Sequence, residues 1–366
     1  RQLSDYNVDW SELKRLVSAY KDYKIARHKI DFTDMIENFI KSDQGPDVDA
    51  LFVDEAQDLS TLQWSMVDVL RKKPRIQVFT GDDDQAIMGF QGADVNAFLN
   101  ATKKKTVLKK SYRLPRLAWE EAQKIVCRIE GRAPKSWSPK DKEGEVYFHQ
   151  NVLDVPLHEG KWCLMARTNR IASQYAKILR EDGWVYSRNG HPSIPIKTYE
   201  ALHDWEEWCK GEPLTPTKMR NVYTFMNVGE GYVRGFGPRS KGMMGVDPGE
   251  LIFMADATEK FGLLIDNTVR WHRALGKIDM ETRNYVLNAL SRKDNVKNPR
   301  IKVSTIHSMK GGEEDNILVV PDLSYAAHRE YLIDPATEHR AYYVAVTRTK
   351  DSLHIMLPQT SRSYPI

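Results

Sequence analysis

Two carboxylates stand side by side at Asp54-Glu55, directly after the apolar run Ala50-Leu51-Phe52-Val53. The run reads as a buried strand that delivers both acids to its carboxyl end, where open α/β sheets bind ligands. Adjacent acids in that place can divide the work on Mg·ATP. One holds the metal through its water shell, and the other polarises an attacking water. Asp54 takes Mg²⁺ and Glu55 takes the water in this reading. A strand ending in a solvated acidic turn would present the same two residues.

A second strand, Ile76-Gln77-Val78-Phe79-Thr80, runs into Gly81-Asp82-Asp83-Asp84-Gln85 and then Gly89-Phe90-Gln91-Gly92-Ala93. Its glycines permit a tight turn and close backbone approach. Gln85 is neutral and carries both donor and acceptor, which suits sensing a γ-phosphate through water. Phe90 can offer a ring on which a base stacks, or it can anchor a polar loop to the core. Three further stretches carry candidate chemistry: Ser111-Tyr112-Arg113, the run from Val303 through Thr305, His307 and Gly311-Gly312-Glu313, and the helical stretch Glu338 to Lys350 with Arg348 near its end. Read alone, Tyr112-Arg113 is an ordinary surface pair, and helical spacing assigns Tyr343 to a core.

In this order the five segments resemble the motifs of the UvrD/Rep/PcrA-like superfamily 1 DNA helicases. The resemblance implies that Tyr112 stacks on adenine and that Arg113 and Arg348 reach the γ-phosphate. A planar cation on the transferring phosphoryl is worth roughly 10³–10⁵ in rate. It also places Glu313 near the ribose, and Thr305 and His307 beside the DNA track. The family usually has Leu where this chain has Gly312, so a looser loop is expected there. Asp31-Phe32-Thr33-Asp34 resembles the segment that precedes the first acidic strand, with Asp31 or Thr33 otherwise read as a helix cap. Arg167-Thr168-Asn169, after Trp162 to Ala166, resembles the turn that opens the second motor domain, and Arg167 is a candidate contact to the DNA backbone.

The elements that must position these residues form an α/β protein: two RecA-like parallel-sheet motor domains, the first incomplete, with an inserted accessory domain. Residues 1–30 read as the helical tail of an accessory insertion, with Trp10, Leu13, Leu16, Val17 and Tyr20 at helical spacing. Residues 31–110 give the carboxyl-terminal part of the first RecA-like domain. Residues 111–187 and 299–366 give the second. Residues 188–298 form the insertion. Within it, Gly229 to Gly249 holds seven glycines and reads as a flexible linker, with a mobile DNA-binding loop carrying Arg234, Arg239 and Lys241 as the alternative.

The phosphate-cradling loop Gly-x-x-x-x-Gly-Lys-Ser/Thr is missing from this order. Gly-Lys occurs at Gly160-Lys161 and Gly276-Lys277, followed by Trp162 and Ile278, and neither fits. The expectation is a polypeptide whose upstream portion carries that loop, so that this chain alone binds ATP poorly and hydrolyses it hardly at all.

The resemblance thus implies a 3′–5′ translocase on single-stranded DNA that splits duplexes at single-strand junctions, with ATP and Mg²⁺ as cofactors and repair or replication proteins as further partners. The alternatives are a nucleotide-independent DNA-binding module and a subunit of a helicase–nuclease complex. Net charge of +4 permits nucleic-acid binding without requiring it. Cys127, Cys163 and Cys209 form no metal-ligand spacing. No apolar run approaches the ~18 residues of a membrane span, and a cytoplasmic location is expected.

Overall fold

The computed structural model describes residues 9–366, which divide into two compact units. The first comprises residues up to Glu143 together with Ala327–Thr347, and the second comprises Gly144–Ala326 and Arg348–Pro365. Residues 111–143 and the helix Pro335–Val346, assigned by motif order to the second motor domain, therefore pack with the first unit.

The first unit opens with the helix Trp10–Ala26, capped by the Asp9 carboxylate on the Ser11 and Glu12 amides. Residues 1–8 of the expected helical tail lie outside the described residues. Asp31, one of the two cap candidates, closes a capping box with Asp34 at the start of helix Phe32–Ser42. Lys24 bridges both of those acids at 2.8 and 2.6 Å. Its ammonium is the main cause that holds the Asp31 carboxyl down to about 2.

Two strands follow, β1 (Ala50–Val53) and β2 (Ile76–Phe79), paired in parallel with Val53 opposite Phe79. Helix Thr61–Leu70 connects them, and its Ser60 cap and Gln63 form a second capping box. Trp64 and Val67 of this helix pack with Ala56, Val53 and Phe79 in a small core. The opposite face is open: Phe52 is 71% and Ile76 56% exposed. Parallel strands are ordinarily covered on both faces, so this sheet presents apolar surface where another layer would fit.

The second unit is built on a seven-stranded sheet. Its strands are β3 (Glu145–His149), β4 (Trp162–Ala166), β5 (Tyr186–Arg188), β6 (His191–Pro192), β7 (Ile301–Thr305), β8 (Glu314–Val319) and β9 (Thr349–Met356). They lie in the order β3-β9-β8-β4-β7-β5-β6, parallel throughout except for the β5–β6 hairpin. Every residue of the central β4 is buried, as expected of a strand covered on both faces.

Between β6 and β7 the inserted segment builds a core of its own. Trp205 and Trp208 are fully buried and meet edge to face at 6.1 Å. Their indole N–H groups donate to the carbonyls of Val269 and Ile252, so the rings are buried without an orphaned donor. The glycine-rich stretch is part of this core rather than a linker. Tyr232 stacks on Tyr223 at 5.1 Å, and Met243 is 1% exposed. The glycine count concealed the apolar residues spaced between the turns.

Candidate active site

The carboxyl ends of β1 and β2 bring two loops together. Thr80 donates its amide to the Val53 carbonyl at 2.8 Å, and Ala56 donates to the Thr80 carbonyl at 2.9 Å. This crossing sets Asp54-Glu55 beside the loop that begins at Gly81. Asp54 Oδ1 accepts from the Thr80 hydroxyl and, at 2.9 Å, from the Glu55 amide. The Thr80 bond is the larger cause that holds the Asp54 carboxyl below its usual range. An exposed, ionised carboxylate with its other oxygen uncommitted to these bonds matches what Mg²⁺ asks of a single protein ligand amid waters. Asp54 is the residue that would hold it.

Glu55 occupies the left-handed region at φ 50° and ψ 37°, which a side chain with a Cβ adopts at a cost. That turn ends the strand and starts a 3₁₀ turn over Ala56–Asp58. The Glu55 carboxylate accepts a 2.5 Å bond from the amide nitrogen of Gln57, a residue with no solvent exposure. The amide oxygen of Gln57 in turn accepts from the Asp82 N–H at 3.1 Å. A Cβ on Gly81 would lie 2.2 Å from that oxygen, so a side chain there would displace the Gln57 amide from its bond to Asp82. Gln85 completes the connection by donating to Asp82 Oδ2 at 2.8 Å. Glu55 and Gln85 thus belong to one hydrogen-bonded network.

Asp82, Asp83 and Asp84 cluster with their carboxylates within 4.8 Å of one another. Two cations offset most of their charge. Lys135 reaches Asp82, Asp83 at 2.5 Å and Asp84 at 2.7 Å, while Arg132 grips Asp84 with two bonds of 2.9 and 2.6 Å. Burial opposes the charge on Lys135, but the Asp82 carboxylate and the hydrogen bonds of all three acids outweigh it and raise the ammonium above its ordinary value. Asp83 also accepts from the Ala133 amide at 2.9 Å and gives its carbonyl to Arg340 at 3.1 Å. Gln57, Arg132, Lys135 and Arg340 were not singled out in the sequence. A run of three acids on a Gly-rich loop signals a need for cations, but nothing local says where those cations lie.

Elsewhere in this unit, Tyr112 stands 86% exposed. It sits on a turn in which the Ser111 hydroxyl accepts from the Arg113 and Leu114 amides. Phe90 is 60% exposed, five residues beyond Gln85, so its ring is not the core anchor that the sequence allowed.

In the second unit the candidates separate to the two ends of the sheet. Ala166 pairs with Thr305, and Ile306 donates to the Ala166 carbonyl at 3.0 Å. Arg167, Thr305 and His307 therefore share the carboxyl end. The Thr305 hydroxyl bonds Ser308 at its amide and hydroxyl, closing the turn that carries His307. Glu313 and Arg348 instead share the amino end, where Glu314 donates its amide to the Arg348 carbonyl at 3.2 Å. Glu313 lies 3.8 Å from Lys350, and Arg348 is only 2% exposed. The place of a side chain at Gly312 is taken by Met309, whose methyl would be 2.9 Å from an added Cβ.

Residues 2–106 match the UvrD/REP helicase N-terminal domain, and residues 267–360 match the UvrD-like helicase C-terminal domain. The chain belongs to the UvrD/Rep/PcrA-like helicase family. Its relatives include the ATP-dependent DNA helicase PcrA of Leuconostoc citreum, 28% identical over 159 residues covering 39% of this chain and 21% of the relative. The PcrA of Bacillus subtilis (strain 168) is 24% identical over 198 residues, covering 49% and 26%. The PcrA of Staphylococcus aureus (strain Mu50 / ATCC 700699) is 24% identical over 169 residues, covering 42% and 23%. The matched stretch thus spans about a fifth to a quarter of the length of these curated relatives. Both parallel sheets of this UvrD/Rep/PcrA-like chain have the α/β character of RecA-like motor domains.

Proposed function

We propose that this chain is a fragment, without its phosphate loop, of an ATP-dependent DNA helicase that moves 3′ to 5′ on single-stranded DNA and unwinds duplexes. The observation that carries the reading is the network Glu55–Gln57–Asp82–Gln85, which joins the acidic strand end to the following loop. Asp54 holds Mg²⁺, whose charge when bound offsets that of the phosphates. Glu55 accepts a proton from the attacking water as its oxygen bonds to the γ-phosphorus and ADP departs. Gln85 registers the γ-phosphate and passes its loss to the loop that ends in Phe90. Arg113 and Arg348 stabilise the transferring phosphoryl, Tyr112 stacks on adenine and Glu313 contacts the ribose.

Phe90, Thr305, His307 and Arg167 carry the DNA contacts in this reading. The exposed rings of Tyr112 and Phe90 suit stacking. The open apolar face at Phe52 and Ile76 suits further elements of the same domain, including a phosphate-binding loop, supplied by sequence upstream. This chain alone is then a weak ATP binder and a poor ATPase. A strand-displacement assay with the intact native protein tests the substrate and polarity. Duplex DNA with a 3′ single-stranded tail should be unwound, whereas a 5′-tailed DNA and a matched RNA duplex should not. Equal unwinding of the RNA, or preference for the 5′ tail, would overturn this reading.

A further inference from the structure

The cations that face the Asp82–Asp84 carboxylates are Arg132 and Lys135, some fifty residues away in the chain. Lys135 is largely buried, with its side chain 14% exposed, and its ammonium contacts three carboxylates, two of them almost fully buried. Asp82 is the shared element. One carboxylate oxygen is bonded to Lys135, and the other receives the Gln85 amide at 2.8 Å.

We propose that Lys135 is a positioning residue for Gln85, acting through Asp82. The proposal rests on the assignment of Gln85 to the γ-phosphate. Three adjacent carboxylates cannot all stay ionised and close together without cations among them. With Lys135 neutral, only Arg132 remains against them, and its two bonds go to Asp84 alone. Asp82, the most solvent-accessible of the three, is then the one that turns outward. That change releases Gln85 from its present orientation. Arg132 and the Ala133 amide tether Asp84 and Asp83, so the loop backbone stays anchored while the Gln85 side chain is lost.

The test compares Gln85→Ala, Lys135→Met, Lys135→Arg and the double variant in the intact native protein, by DNA-stimulated ATPase. Gln85→Ala and Lys135→Met should each lower kcat by about 10- to 100-fold, the scale set by small misplacements in an active site, with little change in KM for ATP. The double variant should be no worse than either single one. Lys135→Arg, which keeps the positive charge, should restore part of the rate.

If Gln85→Ala leaves kcat unchanged, the role given to Gln85 fails. If Gln85→Ala is impaired while folded Lys135→Met is not, or if the two effects multiply, the positioning role fails and the first assignment stands. Should Lys135→Met not fold, Asp82→Ala removes the acceptor that Gln85 donates to and leaves Lys135 paired with Asp83 and Asp84. It should lower kcat to the same degree, and a wild-type rate would overturn the proposal. Hydrogen exchange on this chain by itself gives a readout free of ATP: the amides of residues 82–93 should keep their protection in Lys135→Met, and a loss of protection across that loop would overturn the positioning role in favour of a general loss of structure.

Discussion

At the scale of single residues, one buried amide does what a charged group there could not. Gln57 donates to Glu55 and accepts from the Asp82 amide; a carboxylate in its place would stand against Glu55, and an ammonium would accept nothing. The candidate acids and Gln85 were legible in the sequence because a strand run followed by paired acids, or by a Gly-rich polar turn, is a local signal. The partners that set them were not, since Lys135 and Arg132 act across a separation in sequence that no local pattern reports. A second buried group makes a pH prediction. His354 is 2% exposed, bonded to His149 at 2.8 Å and to the Ser352 hydroxyl at 2.9 Å. Burial, aided by His149, depresses its ring to about 4. The unfolded chain therefore binds the extra proton between the ordinary value near 6.5 and 4. Stability present at neutral pH is lost as pH falls through that window, by up to about 3 kcal/mol. The melting temperature should drop between pH 7 and pH 5, and His354→Gln should flatten that slope; an unaltered slope would show that other groups carry it.

At the scale of elements, the two acidic loops, the buried β4 and the strand after Glu313 follow the sequence pattern closely. Each is a short apolar run bounded by turn residues. Composition misled at Gly229 to Gly249, where turns needed for chain reversal separate Tyr232 and Met243, both buried. Residues 111–143 were harder still to place: helix Arg116–Val126 buries Ala118, Ala122, Ile125 and Val126, but nothing in its periodicity says which element that face meets. The inserted segment has a core distinct from that of the seven-stranded sheet. Trp205→Ala removes a fully buried ring from the former and should cost about 3–5 kcal/mol. Limited proteolysis of this variant should cut within residues 196–291 while the sheet stays protected. Simultaneous loss of both would contradict the independence of the two cores.

At the scale of the whole molecule, the motifs distribute over both units, with Asp54, Glu55, Gln85, Phe90, Tyr112 and Arg113 in the first and Arg167, Thr305, His307, Glu313 and Arg348 in the second. Under the proposed function, both units carry residues assigned to nucleotide or DNA. The deciding measurement is single-stranded-DNA-stimulated ATPase activity of this chain beside a form extended upstream in its native gene, each with Glu55→Gln. The account predicts hydrolysis by the extended protein alone, abolished by Glu55→Gln. An inactive extended protein, or one indifferent to Glu55→Gln, would contradict it and leave a nucleotide-independent DNA-binding role as the better description.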